Sequence, residues 1–162
     1  MSISGKHSPL GIALVIGMVL SMAAPKTWAG CSDATLAGKW AFTTTGTIIL
    51  PNVGPVPVAA VGRITFDGKG NITGTQTRSV GGQVADETFS GTYKVAADCT
   101  ADFTAQVFLG AVLVRTSTVY LTLDDGGREI RAIFTSSFLP DNTPLPSILT
   151  AQAKRLEVGD DD

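Results

Sequence analysis

Residues 58–100 contain three stretches of alternating side chains joined by two glycine turns, and this arrangement constrains the fold more than any other feature. The stretches are residues 58–66, 72–80 and 83–96. Side chains alternate between the two faces of a β-strand, so each stretch is typical of a strand. Asp67–Asn71 and Gly81-Gly82 supply the turns, because glycine and asparagine accept positive φ. The pattern predicts an antiparallel meander.

The rest of the chain after residue 29 repeats this design. Further strands are predicted at residues 38–50, 101–109, 111–123, 128–138 and 147–156, with proline-rich loops at 51–57 and 139–146. Gly62, Gly74 and Gly91 lie inside strands, where glycine often marks a bend. Eight strands, most of them joined by short turns, predict an all-β, antiparallel up-and-down barrel, because closing the sheet removes its edges. A β-sandwich is the alternative.

The N-terminal segment differs from everything that follows it. Lys6 precedes an uncharged apolar run, and the segment ends with Thr27-Trp28-Ala29, whose small last residue is typical of a signal-peptide cleavage site. The run has about 15 residues, fewer than the roughly 20 that a membrane-spanning helix needs. This predicts a signal peptide at residues 1–29 and one secreted or periplasmic domain at residues 30–162, with a short disordered acidic tail. An uncleaved membrane anchor is the alternative.

Charge and histidine content exclude several classes of function. The chain has 12 Lys and Arg residues against 14 Asp and Glu residues and no basic cluster, so nucleic acid is not an expected partner. Its one histidine, His7, lies in the predicted signal peptide. The mature chain would therefore lack the base of a Ser-His-Asp or Cys-His system and the commonest metal ligand. We expect neither a metal nor a cofactor.

Two cysteines, Cys31 and Cys99, follow the predicted signal peptide. In an exported chain, an even number of cysteines favours a disulfide, which here would close a long loop. A pair of thiols with a metal or redox role is the alternative, although the CxxC spacing typical of such sites is missing.

The start of the first strand resembles that of the calycin-type barrels. Cys31 followed by Gly38-Lys39-Trp40 is similar to the start of avidin and, more loosely, of the lipocalins, and Gly91-Thr92-Tyr93 resembles a Gly-Thr-Tyr of avidin. The avidin resemblance implies a Cys31–Cys99 pair, and the lipocalin resemblance implies that Arg155 packs across Trp40. Biotin is not an expected ligand, because the avidin site uses several later tryptophans and Trp40 is the only tryptophan after the signal peptide. The lipocalin Thr-Asp-Tyr turn motif is also missing.

A second resemblance covers most of the mature chain. The stretches FDGKGN, SGTYKV and DCT are similar to those of small exported bacterial β-proteins of unassigned function.

Three classes of function remain open. An eight-stranded barrel can hold one small ligand or fill itself with side chains. The first hypothesis is a non-catalytic barrel that binds a small, largely apolar ligand. Seven aromatic residues would line its binding site, or would simply form the core if the barrel is filled: Trp40, Phe42, Phe66, Phe89, Tyr93, Phe103 and Tyr120. The second is a structural or interaction protein of the cell envelope. The third is a cyclase- or isomerase-type enzyme, but neighbouring carboxylates such as Asp86-Glu87 point to opposite faces of a strand.

Overall fold

The computed structural model describes residues 1–2 and 30–157, so the acidic tail and nearly all of the predicted signal peptide lie outside the described residues. A single-turn helix, α1 (Asp33–Leu36), precedes eight strands, and a short 3₁₀ turn (Asp125–Gly127) joins the sixth strand to the seventh. The strands are β1 (Gly38–Leu50), β2 (Gly54–Phe66), β3 (Asn71–Val80), β4 (Gln83–Val95), β5 (Thr100–Leu109), β6 (Val112–Asp124), β7 (Glu129–Phe138) and β8 (Ser147–Arg155).

The eight strands form a closed barrel. Each strand pairs antiparallel with the next one in sequence, and β8 returns to pair with β1, where Trp40 lies opposite Arg155. The predicted all-β, up-and-down barrel is confirmed, and the sandwich alternative is wrong. Closure pairs the first strand with the last, so neither is a free edge strand over its whole length.

The start of β2 corrects one sequence prediction. Residues 54–57 belong to the strand and not to a loop, although Pro55 and Pro57 lie among them. These residues pair with β1, but they extend beyond Val80, where β3 ends. The carbonyl of Pro57 faces the β3 side and accepts a hydrogen bond from the N–H of Gly81. The nitrogen atoms of both prolines therefore face the β3 side, where no strand pairs with these residues. Their missing N–H groups leave no inter-strand hydrogen bond unmade.

One end of the barrel, called here the closed end, is covered by α1. Trp40 is fully buried there, and its indole N–H donates a 2.9 Å hydrogen bond to the carbonyl of Leu36. The Arg155 guanidinium lies 4.5 Å from the centre of the Trp40 ring and donates to the carbonyls of Ala37 and Thr35. The predicted packing of Arg155 across Trp40 is confirmed.

A disulfide between Cys31 and Cys99 ties the chain before α1 to the β4–β5 turn. The predicted pairing is confirmed, and such a bond is typical of oxidising, extracellular or periplasmic compartments. The Asp33 carboxylate strengthens the same junction by accepting hydrogen bonds from the Val95 N–H and the Lys94 ammonium, both 2.8 Å. In residues 1–2 and 30–157, the structure has no helix with the length and apolar character that a membrane crossing would need.

The opposite end, called here the mouth, is less tightly built. β7 and β8 pair with each other only between Glu129–Ile133 and Thr150–Lys154. Closer to the mouth the two strands separate, and one isolated bridge joins Phe138 to Pro144 of the intervening loop. The wall of the barrel is therefore weakest beside the mouth, between β7 and β8.

Candidate ligand-binding site

The closed-end half of the barrel contains an apolar cavity of about 70 Å³, called here the inner cavity. It exists because inward positions of facing strands alternate between aromatic rings and small residues such as Ala132, Ala151 and Ala153, which leave space between the rings. Phe42 and Phe89 meet edge to face in its wall, with ring centres 6.0 Å apart. Its lining consists of Phe42, Thr44, Ile64, Phe66, Gln76, Phe89, Phe103, Val119, Leu121, Ile130, Ala132, Phe134, Ala151, Gln152 and Ala153.

A second cavity of about 50 Å³, called here the mouth-side cavity, lies between the inner cavity and the mouth. Thr44, Gln76 and Phe134 contribute to the walls of both cavities. The remaining lining consists of Ile48, Val58, Ala60, Arg78, Arg115, Ser137, Leu145 and Leu149. The wall of the mouth-side cavity is also largely apolar, but Arg78, Arg115 and Ser137 add positively charged and polar groups that the inner cavity lacks.

The seven aromatic residues predicted to line a site fall into three groups. Phe42, Phe66, Phe89 and Phe103 line the inner cavity. Trp40 and Tyr93 are buried in the core of the closed end and do not reach the cavity wall. Tyr120 lies on the outer face of β6 and is 41% exposed, so its inclusion in the lining was wrong.

Tyr93 has a structural role that explains its burial. Its hydroxyl donates a 2.8 Å hydrogen bond to the carbonyl of Asp33, and its ring meets that of Phe66 edge to face at 5.0 Å. Burial raises the pKa of Tyr93, so the hydroxyl stays protonated and can donate. Tyr93 therefore anchors α1 to the barrel.

Three charged side chains meet inside the barrel on the mouth side. Glu87 of β4 is almost fully buried, with 1% of its side chain exposed. Arg115 of β6 approaches it with two parallel hydrogen bonds, Nη1 to Oε1 and Nη2 to Oε2, both 2.8 Å. Arg78 of β3 donates to Oε1 from Nε and Nη2, at 3.0 and 2.8 Å, and Gln76 donates to Oε2 at 2.7 Å. We call these four residues the charged cluster.

Electrostatics fix the charge of the cluster. Burial alone would raise the pKa of Glu87, but the hydrogen bonds and positive charge of Arg115, with those from Arg78 and Gln76, outweigh burial and lower it from 4.5 to about 2. Glu87 is therefore ionised at neutral pH, while arginine is always protonated. Two positive charges and one negative charge leave the cluster with a net charge of +1.

The charged cluster was missed from the sequence, although a signal for it existed. Glu87 lies two residues before Phe89 in β4, so the two side chains share the inner face. Arg78 shares a face with Ile72 in the same way, and Arg115 shares one with Val119. Extending each alternating pattern over the full strand would have placed all three charges inside. In residues 1–2 and 30–157, no three His, Cys, Asp or Glu side chains converge as a metal site would require.

Comparison with known proteins identifies the architecture but no family. No protein-family model and no curated protein sequence matches the chain. One similar solved structure is EF1p2_mFAP2b bound to DFHBI, with a TM-score of 0.54 and 14% sequence identity over 75% of this chain and 94% of the other. Another is mFAP1, a redesigned beta barrel bound to DFHBI, with a TM-score of 0.50 and 16% identity over 76% of this chain and 97% of the other. At this identity the likeness shows a shared barrel fold.

Proposed function

We propose that this protein is an exported, non-catalytic barrel that binds a small, largely apolar ligand in its lumen. The observation that carries the proposal is the inner cavity, where five phenylalanine rings surround open space inside a closed barrel. An apolar pocket with a few polar groups at one side is the usual form of a small-molecule site. The disulfide supports the export part of the proposal, because such bonds persist in oxidising compartments.

The route into the lumen supports the same function. Phe134 contributes to both cavities and lies on β7 just beyond the last residue that pairs with β8. A displacement of this part of β7 would admit a ligand without breaking a backbone pair between β7 and β8, although it would disturb the hydrogen bond from the Leu145 N–H to the Ser137 carbonyl in the loop that follows. The two similar barrels are described as bound to DFHBI, so a barrel of this architecture can hold a small molecule.

The charged cluster argues against acid–base catalysis. A general acid or base works best with a pKa near the operating pH. Burial raises the pKa of Glu87, but the hydrogen bonds and charge of Arg115, with the hydrogen bonds of Arg78 and Gln76, lower it to about 2, so this carboxylate neither gives nor takes a proton at neutral pH. Asp86, its neighbour, is exposed on the outer face, where it accepts a hydrogen bond from Thr77. The two carboxyls therefore do not converge on one substrate.

A titration of residues 30–162 with benzyl alcohol, a one-ring uncharged probe, tests the proposed function by isothermal calorimetry. We expect saturable binding that is lost in Ala151→Phe, whose ring would fill the inner cavity. The matched control is Ala59→Phe, which places the same ring on the exposed outer face of β2 and should bind as the unsubstituted protein does. Absence of binding, together with no small molecule released when protein from its own host is denatured, would leave a structural barrel with a filled core.

A further inference from the structure

The two cavities together restrict the shape of a ligand. An apolar cavity of about 150 Å³ is known to hold one benzene molecule. The inner cavity of about 70 Å³ and the mouth-side cavity of about 50 Å³ are each smaller than this. Their combined volume of about 120 Å³ is also smaller, so a one-ring ligand must extend from one cavity into the other and displace side chains of the wall that they share, Thr44, Gln76 or Phe134. The end of the ligand nearer to the mouth then lies beside Arg78 and Arg115.

The charged cluster has capacity for one more negative charge. The cluster contains two guanidinium groups, and Glu87 neutralises only one of these charges. The two carboxylate oxygens of Glu87 already accept five hydrogen bonds. Arg78 uses Nε and Nη2 for Glu87, whereas its Nη1 makes no hydrogen bond to any residue in the described part of the chain. Arg78 keeps 24% of its side chain exposed and Arg115 keeps 12%, so solvent reaches the remaining positive charge. A bound anion would take the place of that solvent and neutralise the charge.

Resting on the proposed function, we propose that the ligand is a compact monoanion, with a carboxylate in the mouth-side cavity against Arg78 and Arg115 and an apolar ring or short chain that extends from there into the inner cavity. Guanidinium groups are suited to carboxylates because their N–H donors match the two oxygens. The Ser137 hydroxyl lies in the same cavity wall and hydrogen-bonds to Ser117 at 2.9 Å, so a further polar group is at hand. The two arginines thus select for charge, and the phenylalanines select for an apolar body of limited size.

Calorimetric titration with benzoate and benzyl alcohol tests this inference, because the two probes share a ring and differ in charge. At neutral pH we expect the unsubstituted protein to bind benzoate at least about tenfold more tightly than benzyl alcohol. In Arg78→Met, where Arg115 still neutralises Glu87, the ratio of the two affinities should fall to about one. Arg63→Met is the matched control, since it removes the same charge from the exposed outer face of β2 and should keep the ratio of the unsubstituted protein.

Each result separates the two proposals. If benzyl alcohol binds and benzoate binds no more tightly, the charge selection is overturned and the proposed function stands. If neither probe binds, both proposals fail. If the preference for benzoate persists in Arg78→Met, the charged cluster is not its source. Should Arg78→Met fail to fold, as judged by circular dichroism, the ratio measured on the unsubstituted protein still decides.

Discussion

At the scale of single residues, the ionised carboxylate of Glu87 makes the stability of the barrel depend on pH. Its hydrogen bonds and ion pairs hold its pKa near 2 in the folded protein, against an ordinary value of 4.5. A group with a lowered pKa in the folded state stabilises fully above its ordinary pKa, and that stability is lost as the pH falls through the folded value. The lowering corresponds to a free energy of about 3 kcal/mol.

Replacing the carboxylate by an amide tests this account. At neutral pH, Glu87→Gln leaves Arg78 and Arg115 without a negative partner, so we expect the free energy of unfolding to fall by about 3 kcal/mol. The difference from the unsubstituted protein should narrow as the pH falls from 4.5 towards 2, where Glu87 itself becomes protonated. Urea unfolding at several pH values measures it, with the exposed neighbour Asp86→Asn as control. A difference of constant size across this range would contradict the assignment.

At the level of residues, strand alternation decides which of the predicted lining residues face the lumen. Phe42, Phe66, Phe89 and Phe103 each lie on an apolar face and line the inner cavity. Tyr120 shares its face with threonines, so the alternation that placed Val119 inside would also have placed Tyr120 outside. In the sequence Glu87 is one of two adjacent carboxyls, and its distant partners on β3 and β6 depend on strand pairing that a single sequence does not show.

At the scale of whole strands, most boundaries were predictable because glycine, proline and asparagine mark the turns. The beginning of β2 was not, since the tolerance for Pro55 and Pro57 depends on where the neighbouring strand β3 ends. The bulge in the β6–β7 pairing was also missed. It adds one residue to β7 after Phe134, so that Ser137 faces inward as Phe134 does, and no local residue pattern marks it.

Glycines inside the strands allow atoms of neighbouring strands to approach the backbone closely, which their predicted role as bends does not include. A Cβ atom at Gly91 of β4 would lie 1.9 Å from the carbonyl oxygen of Thr104 on β5, and one at Gly74 of β3 would lie 2.1 Å from the Phe89 ring. The Phe89 ring can turn aside, but a Cβ atom at Gly74 would also lie 2.5 Å from the carbonyl oxygen of Arg63, which is held in the sheet as that of Thr104 is. Gly91 makes the closer of the two approaches to backbone.

We expect Gly91→Ala to lower the free energy of unfolding by about 2 kcal/mol, because the methyl group forces β4 and β5 apart. The matched control is Ser90→Ala, one residue away on the exposed outer face, where little change should follow. Urea unfolding followed by circular dichroism compares the two variants. Equal stability of Gly91→Ala and Ser90→Ala would show that the close approach at Gly91 is relieved at no cost.

At the scale of the whole molecule, the two ends of the barrel have different tasks. The closed end carries α1, the Trp40–Arg155 contact and the Cys31–Cys99 disulfide. The mouth side carries the charged cluster and the strand separation between β7 and β8. Neither cysteine lines either cavity. Stability from the disulfide and binding in the lumen should therefore be separable.

Removing the disulfide with Cys31→Ser and Cys99→Ser together tests this separation. The bond joins residues 68 apart in sequence. Its loss should lower the free energy of unfolding by about 4 kcal/mol on the chain-entropy model. Fluorescence of Trp40, the single tryptophan of residues 30–162, reports unfolding at the closed end. The folded variant should still bind benzyl alcohol as the oxidised protein does, because the cavity walls are unchanged.

Reductant provides the control for that experiment. It should destabilise the unsubstituted protein to the level of the double-serine variant and leave that variant unaffected, since the variant has no thiol left to reduce. If the folded variant instead loses affinity for benzyl alcohol, the closed end must shape the lumen from a distance. The inner cavity would then depend on the tie between Cys31 and the β4–β5 turn, and the division of tasks between the two ends would be wrong.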